Sequence, residues 1–155
     1  MEGGFTLIEV MVALVIFVIA IIGCYRLQIF SSLLNSTANS VASASAWAAY
    51  ITEDLFTRQY SESYTDPVLV NGKGDSNGAV NINDTGSTSD GVRYVAANGT
   101  LKTTAAASDL YTIYWNIVDD SPVRSVKQIR VIVVKKGGLK SGRLYTQDVY
   151  KLGPI

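Results

Sequence analysis

The chain has 155 residues, enough for one domain and an anchor, and its 13 basic and 13 acidic residues leave no net charge to attract nucleic acid or anionic lipid. It contains no His, which excludes the commonest general base, the usual zinc ligand and the standard serine and cysteine dyads. The one cysteine, Cys24, excludes a fold held by intrachain disulfides and is expected to pack as a small apolar side chain.

The first element is an apolar run from Phe5 to Tyr25 in which Glu9 is the one charged residue. As a helix this run would measure roughly 31 Å, about the thickness of the hydrocarbon core of a bilayer. Nothing basic precedes it and no small-residue cleavage site follows it, so a conventional secretory signal is the weaker interpretation. We predict a membrane-spanning helix.

Glu9 is the unusual residue of this helix. A carboxylate in an apolar run costs several kcal/mol unless it finds a partner, which makes it a candidate for function. The alternative is an acid that is solvated at the depth of the lipid headgroups and has no role.

The segment G-F-T-L-I-E-V-M-V-A-L, residues 4–14, resembles the N-terminal signature of type IV prepilins and pseudopilins. The resemblance implies that a membrane-embedded prepilin peptidase cuts after Gly4 on the cytoplasmic side and methylates Phe5, the new N-terminus. It also implies that Glu9 is the signature acid of the family. The leader, residues 1–4, contains no Lys or Arg, whereas leaders in this family are usually basic.

The spacing of these residues agrees with an assembly role. After cleavage, the amine of Phe5 would lie one helical turn from Glu9 of the same chain, and an axially shifted neighbour could supply the same amine. Pairing an ammonium with a carboxylate in a dry setting offsets the desolvation of both groups. We therefore expect the protein to bind other pilin or pseudopilin subunits through this helix.

The helical pattern continues beyond the apolar run, and no Pro or Gly interrupts residues 24–66. Apolar residues recur every seven positions, with others at the three-residue offset: Leu27, Leu34, Val41, Ala48 and Leu55, then Phe30, Ala44 and Ile51. The pattern predicts one helix from Phe5 to about Gln59, roughly 80 Å long. Its amphipathic part, residues 26–60, is expected to pack its upper half on a sheet of the same protomer, while the lower half of the helix packs on other subunits.

Residues 61–155 are predicted to form a globular head, in which residues 71–91 have the composition of a loop region. Ala79–Ile82 could form a very short strand within it. Asp75, Asp84 and Asp90 are oxygen donors that could bind Ca²⁺, but their spacing does not match an EF-hand. We expect a plain loop and no cofactor.

Three later segments read as strands: Leu110–Val118, Val126–Val134 and Arg143–Leu152. Val92–Ala96 would add a fourth strand, at an edge. Alternation places one set of side chains on an inner face: Tyr111, Ile113, Trp115, Ile117, Ile129, Val131 and Val133. A long helix packed on an antiparallel sheet over residues 92–152 is an α+β arrangement, and it is also the type IV pilin fold that the resemblance implies.

Nothing in the head suggests an enzyme, because no base, nucleophile elbow or phosphate-binding loop is present. The densest basic group is expected to be solvated and to protect the sheet, so no nucleic acid is expected as a partner: Arg124, Lys127, Arg130, Lys135, Lys136, Lys140 and Arg143. Residues 111–122 and 127–131 are similar to minor pilins of the PilV type.

The resemblance implies a minor pilin of a bacterial type IV pilus. Such a protein is anchored in the inner membrane by residues 5–25, carries its head in the periplasm and then enters a filament. Two alternatives stay open: a type II secretion pseudopilin, and a single-pass anchor that presents a binding domain.

Overall fold

The computed structural model describes residues 6–58, 81–86, 89–120, 122–137 and 142–153. The chain divides into two compact units, residues 1–39 and 40–155, and the helix contributes to both. Within the described residues there are one α-helix and five β-strands: α1 (Leu7–Thr57), β1 (Gly91–Ala96), β2 (Leu101–Lys102), β3 (Asp109–Val118), β4 (Val126–Lys135) and β5 (Gly142–Leu152).

The helix α1 is one uninterrupted element of 51 residues, as its sequence predicts. It ends at Thr57, slightly before the expected end, and Gln59 lies outside the described residues. The side chains that α1 buries all lie in its upper half: Ala44, Ala48, Ile51, Thr52 and Leu55. Leu27 and Leu34, from the same heptad series, are exposed. The prediction that the upper half packs on a sheet is therefore confirmed, whereas the packing of the lower half on other subunits stays a prediction.

The five strands form one antiparallel sheet in the order β2-β1-β3-β4-β5. The three long predicted strands are present, within two residues of their expected bounds. The edge position expected for Val92–Ala96 is wrong, because the two-residue strand β2 pairs with the outer side of β1. The short strand expected at Ala79–Ile82 is not observed where the structure describes it: Asn81 and Ile82 lie in a turn, and residues 79–80 lie outside the described residues.

The core lies between the upper half of α1 and one face of the sheet. Its sheet side consists of the predicted inner residues of β3 and β4 together with Val95 of β1, and Trp47, Leu101, Leu144, Tyr145 and Val149 pack around it. Strand alternation explains this agreement, because a run with apolar side chains at every second position can bury one face only.

The opposite face of the sheet differs from expectation. We expected its outward positions to be solvated, yet Thr112, Asn116 and Ile132 are almost fully buried. Asn116 binds the backbone of Ile82, Asp84 and Asp90, and these residues therefore contribute to covering this face. The basic group also departs from its expected solvation: Lys127 is buried and forms an ion pair with Asp119, because β4 directs it toward the helix side.

Candidate functional site

Glu9 lies in the first turn of α1 and is exposed. The carbonyl of Thr6 accepts the N–H of Glu9 at 3.1 Å and the N–H of Val10 at 3.3 Å, so this carbonyl starts the helical hydrogen-bond ladder. An acid in a first turn interacts favourably with the helix dipole, typically by about 0.3–1 kcal/mol. That contribution is too small to offset burial of a carboxylate in an apolar environment, which costs several kcal/mol.

The helix surface around Glu9 is apolar and unburied within the described residues. Glu9, Val10, Ala13, Leu14 and Phe17 line a shallow groove of about 520 Å³ on one side of the helix. Phe17 keeps 61% of its surface exposed. An exposed apolar surface of this extent marks a contact with lipid or with another protein chain.

The helix satisfies the length and composition of a membrane span. One 18-residue window has a mean hydropathy of 3.0, and none of it is buried inside the protein. Cys24, near the end of the apolar run, is exposed as well. No other part of the described chain packs over these side chains, which is the arrangement expected of a helix that anchors a protein in a membrane.

The predicted processing residues Gly4 and Phe5 lie outside the described residues, as does Asp75, the first of the calcium candidates. Their predicted roles therefore stay predictions. No group of three or more His, Cys, Asp or Glu side chains in the described part of the chain is arranged to hold a metal ion.

The two other calcium candidates have structural partners. The carboxylate of Asp84 accepts the N–H of Gly86 at 3.1 Å and so closes a local turn. The carboxylate of Asp90, 3% exposed, accepts the N–H of Ile117 at 2.6 Å. Both acids thus help to form the segment that covers the outer face of the sheet.

A polar cluster that the sequence reasoning missed holds this segment in place. The amide of Asn116 donates to the carbonyls of Ile82 and Asp84, and its oxygen accepts the N–H of Asp90. Arg130 forms a two-fold hydrogen-bonded ion pair with Asp148, at 2.5 and 2.6 Å, which raises the pKa of the guanidinium. One feature of the sequence could have indicated this cluster: polar residues occupy outward positions in the middle of otherwise apolar strands.

Arg130 also donates to the side-chain oxygen of Asn83 at 2.8 Å, and Arg143 donates to the Asn83 carbonyl at 2.8 Å. These contacts fix residues 81–86 on β4 and β5. Their role is architectural, since every polar group named here is engaged by another part of the fold.

An ion pair between Lys102 and the buried carboxylate of Asp109 joins β2 to the start of β3. Lys102 lies 2.5 Å from the carboxylate of Asp109, which also accepts the N–H of Ala106 at 2.5 Å. The Lys102 hydrogen bond and then the Ala106 N–H lower the pKa of Asp109. This carboxylate serves the fold, because its partners are Lys102 of β2 and the backbone of the loop between β2 and β3.

Comparison with known proteins identifies the N-terminal segment. The family model of the prokaryotic N-terminal methylation motif matches residues 1–25. No curated protein and no solved structure matches the chain. The chain therefore carries the class III signal of type IV pilins and pseudopilins, on a fold with the pilin-like arrangement of one long helix packed on an antiparallel sheet.

The motif supports a protein like the type IV pilins and pseudopilins, a group of structural and generally non-enzymatic proteins. It suggests processing by a prepilin peptidase and assembly with other pilin subunits.

Proposed function

We propose that this protein is a minor pilin, a structural subunit that enters a bacterial type IV pilus and helps to initiate or decorate it. The observation that supports the proposal most directly is the methylation motif at residues 1–25, which includes the apolar start of α1 with its exposed side chains and Glu9. Neither a catalytic activity nor a cofactor belongs to the proposal.

The mechanism is assembly. Cleavage after Gly4 would leave a free, methylated amine at Phe5, and the Glu9 carboxylate of a neighbouring helix would pair with it. The exposed apolar side chains of α1 would contribute the burial, at roughly 25 cal/mol per Å² of apolar surface. The ion pair would set the axial position of each subunit, because an unpaired carboxylate in that environment is strongly unfavourable.

In this proposal the protein first sits in the inner membrane, with residues 5–25 spanning the bilayer and the head in the periplasm. It then leaves the bilayer for the filament without losing its apolar environment, since neighbouring helices replace lipid around the same side chains.

A pseudopilin of a type II secretion system is the second candidate, because the same methylation motif occurs in both systems. A membrane-anchored binding domain is the candidate from another class. That anchor would need the apolar helix but neither Glu9 nor removal of the leader.

Mass spectrometry of the N-terminus tests the proposal. In cells with the prepilin peptidase we expect a chain that begins at methylated Phe5, and in cells without it we expect the leader to be retained. A chain that starts at Met1 in both strains, or one that is cut after Cys24, would contradict the proposal.

Replacement of Glu9 distinguishes assembly from anchoring. Glu9→Ala should reach the membrane in normal amounts, yet its recovery from sheared filaments should fall at least about tenfold. The reason is that removing one partner of a buried ion pair costs about 3–5 kcal/mol. Glu53→Ala is the matched control, since Glu53 is an exposed acid of the same helix. Absence of the parent protein from sheared filaments would favour the anchored binding domain, whereas filament recovery that Glu9→Ala leaves unchanged would contradict the role proposed for Glu9.

A further inference from the structure

The last turn of α1 is capped by a lysine of the sheet. The helix has no basic residue in its final turn and no glycine directly after it, so its own sequence provides no usual C-terminal cap. Lys151 of β5 supplies the donors instead. Its ammonium donates to the carbonyls of Leu55 at 2.9 Å and Phe56 at 3.0 Å, and also to the carbonyl of Arg58.

This contact joins positions 96 residues apart in the sequence, and Lys151 is only 7% exposed. It therefore lies at the interface between helix and sheet rather than on the surface. The last four carbonyls of an α-helix have no partner within the helix, so an ammonium that binds two or three of them recognises the end of the helix.

The apolar stripe of α1 by itself specifies the axial position of the helix less sharply than the Lys151 contact does. Its buried residues, Ala44, Ala48, Ile51 and Leu55, recur at helical spacing. A slip of one turn would bring Ser40, Ala44 and Ile51 into the sites of Ala44, Ala48 and Leu55, all with side chains of similar size. Trp47 in the site of Ile51 would be the one large misfit.

Carbonyls one turn earlier in α1 already accept an N–H of the helical ladder, so they are poorer acceptors for Lys151 than those of the last turn, which have no partner within the helix. A slipped helix would thus leave a buried ammonium with weaker hydrogen bonds, which is less favourable than an imperfect apolar contact. At the other end of the packed segment, Lys135 donates to the hydroxyl of Ser40 at 2.9 Å. That contact is less selective, because Ser36 stands one turn away.

We propose that Lys151 is the positioning residue that fixes the axial register of α1 on the sheet, by binding the carbonyls at the end of the helix. The proposal goes beyond the proposed function and does not depend on it, because Lys151, the sheet and the last turns of α1 belong to the same compact unit.

Distance measurement between two spin labels tests this register. In a Cys24→Ser background, nitroxides are placed at Glu53→Cys on α1 and Ala97→Cys in the turn after β1, two exposed sites of the detergent-solubilised full chain. Ala97 lies at the sheet end where Lys135 contacts Ser40, so an axial slip changes the distance between the labels. One turn corresponds to a shift of up to about 5.4 Å.

With Lys151 intact we expect a single distance. Lys151→Met keeps the length of the side chain but removes the donors, and it should add a second population, displaced by one turn, of about a tenth or more of the molecules. Lys151→Arg, which keeps cationic donors, should restore the single distance.

Lys127→Met is the matched control. Lys127 lies directly opposite Lys151 in the β4–β5 register and is equally buried, but its ammonium pairs with Asp119. The Lys127→Met variant should therefore keep a single distance between the two spin labels. A single distance in Lys151→Met, or the same second population in Lys127→Met, would overturn the proposal. Unfolding of Lys151→Met would also contradict it, because Lys151 would then be needed for packing itself rather than for register.

Discussion

Gly91 provides the sharpest test of how the core is built. It lies directly across from Trp115 in the β1–β3 register, and the indole packs over the place where a side chain would stand. A Cβ at position 91 would lie 1.9 Å from Cζ2, 2.0 Å from Cε2 and 2.5 Å from Nε1 of Trp115. These distances are far below van der Waals contact, so the ring must move if Gly91 is replaced.

The expected effect follows from the position of Trp115. Its side chain is 3% exposed and forms part of the core, and the guanidinium of Arg93 lies 5.4 Å from the ring centroid. Overpacking a core costs about 1–3 kcal/mol, and removal of a buried tryptophan costs about 3–5 kcal/mol. Gly91→Ala forces a partial expulsion of the ring, so we expect the free energy of unfolding to fall by about 3 kcal/mol.

Urea unfolding of the detergent-solubilised chain, followed by circular dichroism, measures this change. Gly86→Ala is the control, because a Cβ there meets only the Asp84 carboxylate at an ordinary 3.5 Å, and it should stay within about 0.5 kcal/mol of the parent. In a Trp115→Ala background, Gly91→Ala should cost about 0.5 kcal/mol or less, since the clash is gone. Additive losses, or a Gly91→Ala variant as stable as the parent, would refute the reasoning.

Three further predictions concern the head. The pKa of Asp109 is lowered in the folded state, chiefly by Lys102, so the stabilisation it gives is present above the unfolded pKa near 3.9 and is lost as the pH falls through the folded value. Urea midpoints of Asp109→Asn and the parent should therefore differ at pH 7 and converge as the pH falls through the folded pKa; equal midpoints at pH 7 would contradict this. Asn116→Ala should lower the free energy of unfolding by about 2–3 kcal/mol, because it leaves buried and part-buried backbone groups of Ile82, Asp84 and Asp90 unpaired. Hydrogen exchange should also rise at residues 81–86 and 89–90, and unchanged exchange there would argue against this role of Asn116. Leu55→Ala should cost about 2–5 kcal/mol in the same urea assay, since Leu55 is 1% exposed against the sheet, whereas a loss below 1 kcal/mol would mean that the helix end is loosely packed.

Much of this fold can be predicted from local pattern. The course of α1 follows from an apolar run and a heptad stripe, with no Pro or Gly in residues 24–66. The inner faces of β3 and β4 follow from strict alternation, and all seven residues assigned to them lie in the core. The motif around Glu9 is likewise contiguous in sequence, so the class of protein could be inferred from about a tenth of the chain.

The errors concern contacts between distant positions. The expected edge position of Val92–Ala96 was wrong because a two-residue strand has too little pattern to be detected. The outer face of the sheet was expected to be solvated because alternation indicates which side chains share a face, not whether a loop covers that face. From the sequence alone, Asn116 is predicted to be a solvated strand residue, because the carbonyls that it binds belong to residues 32 and 34 positions earlier.

The sequence by itself thus determined the long elements, the inner faces of the strands and the processing signal, because each depends on residues within a turn or a strand of one another. Tertiary structure alone decided the order of the strands, the covering of the outer face and the contact of Lys151 with the end of α1. The physical reason is that a buried polar group is stable only beside its partner, and here that partner lies up to 96 residues away.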